Sequence, residues 1–218
     1  MVYKENYMKK LFTAAVLCAL LTPAFAGIDQ GIDKGMTHIS VLGGFAVPTT
    51  EYGFGPSGAD FDYADVGGTY GIQIMHYLTQ NIGLGLEFNG TNYSEAEYDI
   101  YGIGMEEHFK TSADKYSIFL AGKFNFAPTA KTRMYVPLGV GFAKYKGKIK
   151  ESYYGQEDSE SNTKPALYVG LGVESDINDI FIWGFEARYN HWWMDDSKFA
   201  DTSYLSDVSL MLKVGIKI

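Results

Sequence analysis

The side chains best able to act as nucleophile, base or metal ligand are few: four histidines, His38, His76, His108 and His191, and one cysteine, Cys18. A metal site needs ligands at short, matched spacings, and His38, His76 and His108 show neither such a spacing nor a nearby partner. No H-E-x-x-H, G-x-S-x-G or phosphate-binding glycine loop occurs. These residues therefore point to no catalytic group, no cofactor and no metal. A second set differs in kind. Glu87, Lys123, Glu174, Glu186, Arg188, Lys213 and Lys217 interrupt stretches of alternating apolar residues, always in the register that small residues occupy. On a face closed off from water such charges must pair, because an unpaired buried charge costs several kcal/mol while a hydrogen-bonded pair can break even. On a face lining a channel they could exchange partners and gate it.

What positions these charges is a period of two that runs through most of the chain. Ile39, Val41, Phe45 and Val47 alternate with Ser40, Gly44 and Ala46; Ile82, Leu84, Leu86 and Phe88 alternate with Gly83, Gly85, Glu87 and Asn89. The pattern recurs around Ile72, Leu120, Leu138, Leu171, Phe185 and Leu212, which predicts eight strands. Long segments, at 49 to 66, 94 to 113, 148 to 163 and 194 to 205, follow the first, third, fifth and seventh strands; turns of a few residues such as LTQN, APTAKT and SDIND follow the others. An antiparallel meander with all its long connections at one end is the habit of outer-membrane barrels.

The first 26 residues read as an export leader. Lys9 and Lys10 precede the apolar run LFTAAVLCALL, and Ala24-Phe25-Ala26 predicts cleavage before Gly27. The run is too short to span a bilayer as a helix, and Leu17 before Cys18 does not suit lipidation. A single barrel domain over 27–218 is expected to follow, with no thiol and no spanning helix. The net charge of −8, with no evident basic surface, excludes nucleic acid as a partner.

Alternation alone does not say which face is wet, since a soluble ligand-binding barrel of eight strands turns its apolar side chains inward. Three features favour the membrane orientation. The non-aliphatic face is mostly Gly, Ala and Ser, poor in charge for a solvent face but suited to the narrow interior of an eight-stranded barrel. Phe45, Tyr70, Tyr77, Phe88, Tyr93, Tyr116, Phe124, Phe126, Tyr189, Trp192 and Trp193 cluster near strand ends, as expected of interfacial girdles. Each strand offers about ten alternating residues, enough to cross when tilted.

Together with the segments NIGLGLEF and GFEARYN and the closing VSLMLKVGIKI, this spacing resembles the small outer-membrane barrels of the opacity-protein and outer-membrane-protein-A type, from about residue 35 to 218. The resemblance implies an all-β, eight-stranded antiparallel up-and-down transmembrane barrel, monomeric, inserted in the outer membrane by the barrel-assembly machinery and in contact with outer-membrane lipid and lipopolysaccharide. The chain departs from that group in lacking an appended peptidoglycan-binding domain and in closing on Ile218, where an aromatic is usual.

In such a barrel the seven charges point inward, where Glu87 is expected level with Lys123, and Glu186 level with Lys213. They form an ionic network that plugs the lumen, or else gates a narrow pore. The long segments are acidic and Tyr-rich and suit a solvated rim or contact with host or neighbouring-cell surface molecules. Lipid A deacylases work from the outer wall of such barrels with a His, a Ser two positions later and an acid. His191 has the right register, but Trp193 occupies the serine's place, so His191 reads as a girdle residue beside Trp192 and Trp193. The function expected is therefore structural or adhesive and non-enzymatic, with a narrow pore, a lipid A-modifying enzyme and a soluble binder as alternatives.

Overall fold

A computed structural model of the chain describes residues 31–49, 66–102, 105–151, 157–193 and 204–218, with backbone alone for 95–102, 105–111, 148–151 and 157–160. The expected leader, and most of the segments 49 to 66 and 194 to 205, fall outside the described residues. The strands are β1 (Thr37–Pro48), β2 (Gly67–Tyr77), β3 (Ile82–Gly102), β4 (Met105–Asn125), β5 (Thr132–Glu151), β6 (Glu157–Asp176), β7 (Phe181–Trp193) and β8 (Tyr204–Lys217). Each pairs antiparallel with the next, and β8 returns to β1 from His38↔Lys217 to Pro48↔Asp207, closing the barrel. Over the barrel wall, closure gives every strand a neighbour on both sides, the condition for a sheet to survive in hydrocarbon.

Alternation decides the two faces. In β2 every odd-numbered residue from Gly67 to Tyr77 is buried and every even one exposed. The outward set carries the large apolar side chains: Val41, Leu86, Val140 and Leu171 are 57–60% exposed. So continuous an apolar surface suits lipid, not water. Inward, glycines make room for tyrosines on the neighbouring strand. Tyr168 lies over Gly139 and Tyr135 over Gly172, two cross-strand pairs of β5 and β6 in which an added Cβ would collide with the ring.

Two expectations are corrected. The segments 94 to 113 and 148 to 163 are largely strand: β3 and β4 pair as far as Gly102↔Met105, and β5 and β6 as far as Lys150↔Glu157. Above the level of Gly67↔Tyr93, the last β2–β3 pair, the β3–β4 hairpin rises roughly 30 Å at about 3.3 Å per residue. Apolar alternation stops where lipid stops, but the hydrogen-bond ladder does not need it, so hydropathy ends these strands too early. The second correction concerns aromatics. Tyr77, Tyr93 and Trp192 are 0%, 5% and 1% exposed and point inward, whereas Phe45, Tyr70, Phe88, Phe124, Phe126, Tyr189 and Trp193 face outward. Parity along the strand, not nearness to its end, sets the direction of a ring.

One closure was not foreseen. Ile32, ahead of β1, is fully buried, and its N–H donates to the Pro128 carbonyl in the β4–β5 turn at 3.0 Å. The chain thus crosses the short-turn mouth from the far wall before entering β1.

Candidate functional site: the charged lumen

All seven charges expected inside are buried: Glu87, Lys123, Glu174, Glu186, Arg188 and Lys213 are at most 2% exposed, and Lys217, at the mouth, is 9% exposed. They do not pair as expected. By register Lys123 stands opposite Gly83 and Lys213 opposite Gly184, so each lies nearer the short-turn end than the carboxylate assigned to it. Counting residues from presumed strand ends misjudges height, because register shifts between neighbouring strands as a barrel closes. The charges instead sort into three tiers.

The tier at the short-turn end is built on Glu174 of β6. Its carboxylate accepts from Lys123 Nζ of β4 at 2.7 Å and Arg133 Nη2 of β5 at 2.6 Å, and Lys213 Nζ of β8 lies 2.5 Å away. Arg133 also bonds both oxygens of Asp176 at 2.9 and 3.0 Å, while Lys217 Nζ lies 3.3 Å from Asp176. His38 of β1 completes the tier, with Nδ1 3.5 Å from Glu174 and Nε2 3.3 Å from Met36 Sδ. A partner for His38 was not expected. The Tyr135 ring lies 3.9 Å from Lys123 Nζ and 4.4 Å from Lys213 Nζ, a cation–π contact for each.

The middle tier centres on Arg188 of β7. Its guanidinium grips Glu87 of β3 with both terminal nitrogens, Nη2 at 2.7 Å, and donates Nε–H to Glu186. Such fork-to-fork pairing is the strongest geometry a guanidinium offers. Glu87 further accepts from Gln73 at 2.6 Å, Asn89 at 2.5 Å and the Tyr168 hydroxyl at 3.2 Å; Glu186 accepts from the Tyr135 hydroxyl at 2.8 Å. The tyrosines seated over Gly139 and Gly172 are therefore the ones that complete this tier. Three strands separate β3 from β7 on either side of an eight-membered ring, so the Glu87–Arg188 bond crosses the full width of the lumen.

The upper tier repeats that crossing between β4 and β8. Lys115 Nζ bonds Asp207, which also accepts from the Tyr93 hydroxyl and the Asn190 amide, each at 2.6 Å. The Trp192 ring lies 4.5 Å from the same ammonium group. Between the two upper tiers a cavity of about 10 Å³, bordered by Thr69, Asn89, Ser117, Phe119, Arg188 and Trp192, has room for about one water molecule.

Arg133, Asp176, Lys115, Asp207 and His38 were missed in the sequence. Each continues an inward register beyond the apolar part of its strand: 133 with 135, 176 with 174, 115 with 117, 207 with 209 and 38 with 40. Extending every register one step into the turns would have found them.

On the outer wall, His191 stacks on Tyr204 at 5.3 Å and meets Trp193 edge-on at 4.9 Å. The Thr37 hydroxyl is 3.0 Å from Nδ1 of His76, and the side chain of His108 lies outside the described residues. Among the described residues no three His, Cys, Asp or Glu side chains are grouped to hold a metal.

A family model described as outer membrane protein beta-barrel domain matches residues 12–215. The chain belongs to that family. As a member of the outer-membrane barrels it resides in the outer membrane, its exposed apolar band in lipid. No curated protein matches it. Solved structures do: Neisserial surface protein A (14% identical, covering 85% of this chain and 100% of that one, TM-score 0.55) and a major outer membrane protein of Thermus thermophilus (13%, 84% and 99%, TM-score 0.54). The attachment invasion locus protein of Yersinia pestis also aligns, at 17% identity over 85% and 99% of the two chains with a TM-score of 0.47. Identities this low show the shared fold alone.

Proposed function

We propose that this protein is a closed, non-enzymatic outer-membrane barrel whose lumen is a structural plug and whose task is to hold two tall extracellular hairpins, β3–β4 and β5–β6, as a structural or adhesive surface. The observation that carries this reading is the pair of cross-lumen salt bridges, Glu87–Arg188 and Lys115–Asp207, with a residual cavity of about 10 Å³ between them. An interior tied across its full width twice is built for rigidity, since exchanging partners at either bridge leaves a desolvated charge unpaired. The hairpins carry SEAEYDIYGIGMEEHF and ESYYGQEDSESN, sequences whose tyrosines offer apolar area with a polar tip and whose carboxylates repel neighbours of like charge. Short turns on the periplasmic side and hairpins on the outside follow the general rule for these barrels. A leader cleaved before Gly27, insertion by the barrel-assembly machinery and a monomeric state belong to the same proposal.

The test separates plug from pore and surface from scaffold. Purified barrel in a planar bilayer is expected to show no steady conductance; reproducible open-channel steps would overturn the plug. Cells expressing a chain with residues 97–110 replaced by a two-residue turn are expected to assemble the barrel, seen as heat-modifiable gel mobility, while losing adherence to host or neighbouring cells. Unchanged adherence after trimming both hairpins counts against the surface role.

A further inference from the structure

Strand β5 carries lysine at positions 144, 146, 148 and 150, alternate residues of KYKGKIK. Lys144 and Lys146 are exposed while Ala143 and Tyr145 beside them are buried, so these two take the outward register. Read linearly the segment lies among acidic stretches and offers no basic surface. The strand turns Lys144 and Lys146 into a basic pair on one wall of a molecule with a net charge of −8.

The place of that pair on the wall is fixed by the sheet register. Along the row of paired residues through Lys144, β2 to β6 read Tyr70, Gly90, Tyr116, Lys144 and Thr163; the next outward row toward the short turns reads Ile72, Phe88, Ile118, Phe142 and Pro165. Phe142 and Ile118 are 57% and 56% exposed, part of the lipid-facing band. Tyr70 lies over Gly90 beside Tyr116, the kind of aromatic pair that marks a membrane interface. The lysines thus begin where hydrocarbon ends, at the depth of lipid headgroups, where a long cationic side chain keeps its stem on apolar surface and its charge among polar groups. Neither Lys144 nor Lys146 forms an ion pair among the described residues; Lys146 Nζ lies 6.0 Å from the Tyr116 ring. Asp114, opposite Lys146 in register, accepts from the Asn92 amide at 2.7 Å.

We propose that Lys144 and Lys146 on the outer face of β5 are a binding site for the phosphate groups of lipopolysaccharide in the outer leaflet. A soluble polyanion approaching from above would meet the acidic hairpins, whereas a phosphorylated headgroup reaches Lys144 and Lys146 from the side, in the plane of the membrane. The proposal rests on the reading that the hairpins are extracellular.

The test compares the wild type with K144Q/K146Q/K148Q/K150Q and with K34Q/K131Q, a control at the short-turn end. Each is refolded in neutral detergent, checked by heat-modifiable mobility and titrated by native mass spectrometry with bisphosphorylated lipid A, dephosphorylated lipid A and a soluble sulfated oligosaccharide. The expected result is at least tenfold weaker binding of bisphosphorylated lipid A by the quadruple variant, no change in the control, and weak binding of the dephosphorylated form by all three proteins. If the quadruple variant does not fold, K144Q/K146Q replaces it, with an expected loss of at least threefold. Equal affinity of wild type and variant overturns the proposal. So does equal affinity for the dephosphorylated lipid, or tighter lysine-dependent binding of the sulfated oligosaccharide. A separate measurement tests the orientation. A membrane-impermeant maleimide on intact cells is expected to label Lys146→Cys and not Lys34→Cys; the reverse pattern overturns the orientation and the lipid A site with it.

Discussion

Arg188 is the residue on which the middle tier depends, because one guanidinium serves two carboxylates that no other cation reaches among the described contacts. Arg188→Met leaves Glu87 and Glu186 buried with only neutral donors, and a loss of about 3–5 kcal/mol is expected for a buried charge stripped of its partner. Urea unfolding in lipid vesicles, read by gel mobility, measures it; a loss below about 1 kcal/mol contradicts the assignment. The triple variant Arg188→Met, Glu87→Leu, Glu186→Leu is expected to recover a large part of that loss. Double-mutant cycles check the pairing itself. Glu87→Gln with Arg188→Met should couple by about 1 kcal/mol or more, while Lys213→Met with Glu186→Gln should couple less, since Lys213 sits on Glu174. The opposite order would restore the pairing that sequence spacing suggested. At the same scale, Gly172→Ala places a methyl group against the Tyr135 ring and should cost about 1–3 kcal/mol through displacement of that ring from Glu186.

Among the strands, β3 and β4 do two jobs in sequence. Up to Tyr93↔Ala113 they are barrel wall; the register shifts between Tyr93 and Ala96, and beyond it they continue as a hairpin to Gly102↔Met105, with β4 still paired to β5 as far as Phe109↔Glu151. A bulge at that point lets β3 bend without disturbing the pairs below. Trimming the hairpin above Tyr98↔Phe109, beyond the last pair of β4 with β5, is therefore expected to change the stability of the barrel by no more than about 0.5 kcal/mol, the range for surface changes away from packed features. A loss of several kcal/mol would show that hairpin and wall fold as one unit. The wall was legible in the sequence because lipid on one face and small residues on the other impose a period of two. The hairpin was not, because its sequence drops the alternation of large apolar with small residues that marks the wall, while the backbone ladder continues. The three inward aromatics Tyr77, Tyr93 and Trp192 were misassigned for a related reason: parity places them in the lumen, and only the buried position of each ring shows that parity outranks end position.

For the molecule as a whole, the three tiers, the Ile32 crossing and the closed sheet act in series along one axis, so removing any single closure should leave the lumen shut. Even with both cross-lumen bridges removed, as in Glu87→Ser, Arg188→Ser, Lys115→Ser, Asp207→Ser, the tier on Glu174 and the Ile32 crossing are expected to keep steady conductance absent. A steady channel in the Arg188→Ser single variant would show that the middle tier alone closes the pore. The amino-acid sequence by itself determined the number of strands, their up-and-down order, the apolar outer face and the identity of seven inward charges, because each of these depends on local alternation and on the lengths of connections. Only the tertiary structure decided which charge meets which. Partners such as Glu87 and Arg188 lie on opposite walls, 101 positions apart along the chain, and are brought together by the stagger of the strands on closure. That stagger is a property of the ring and is written in no single strand.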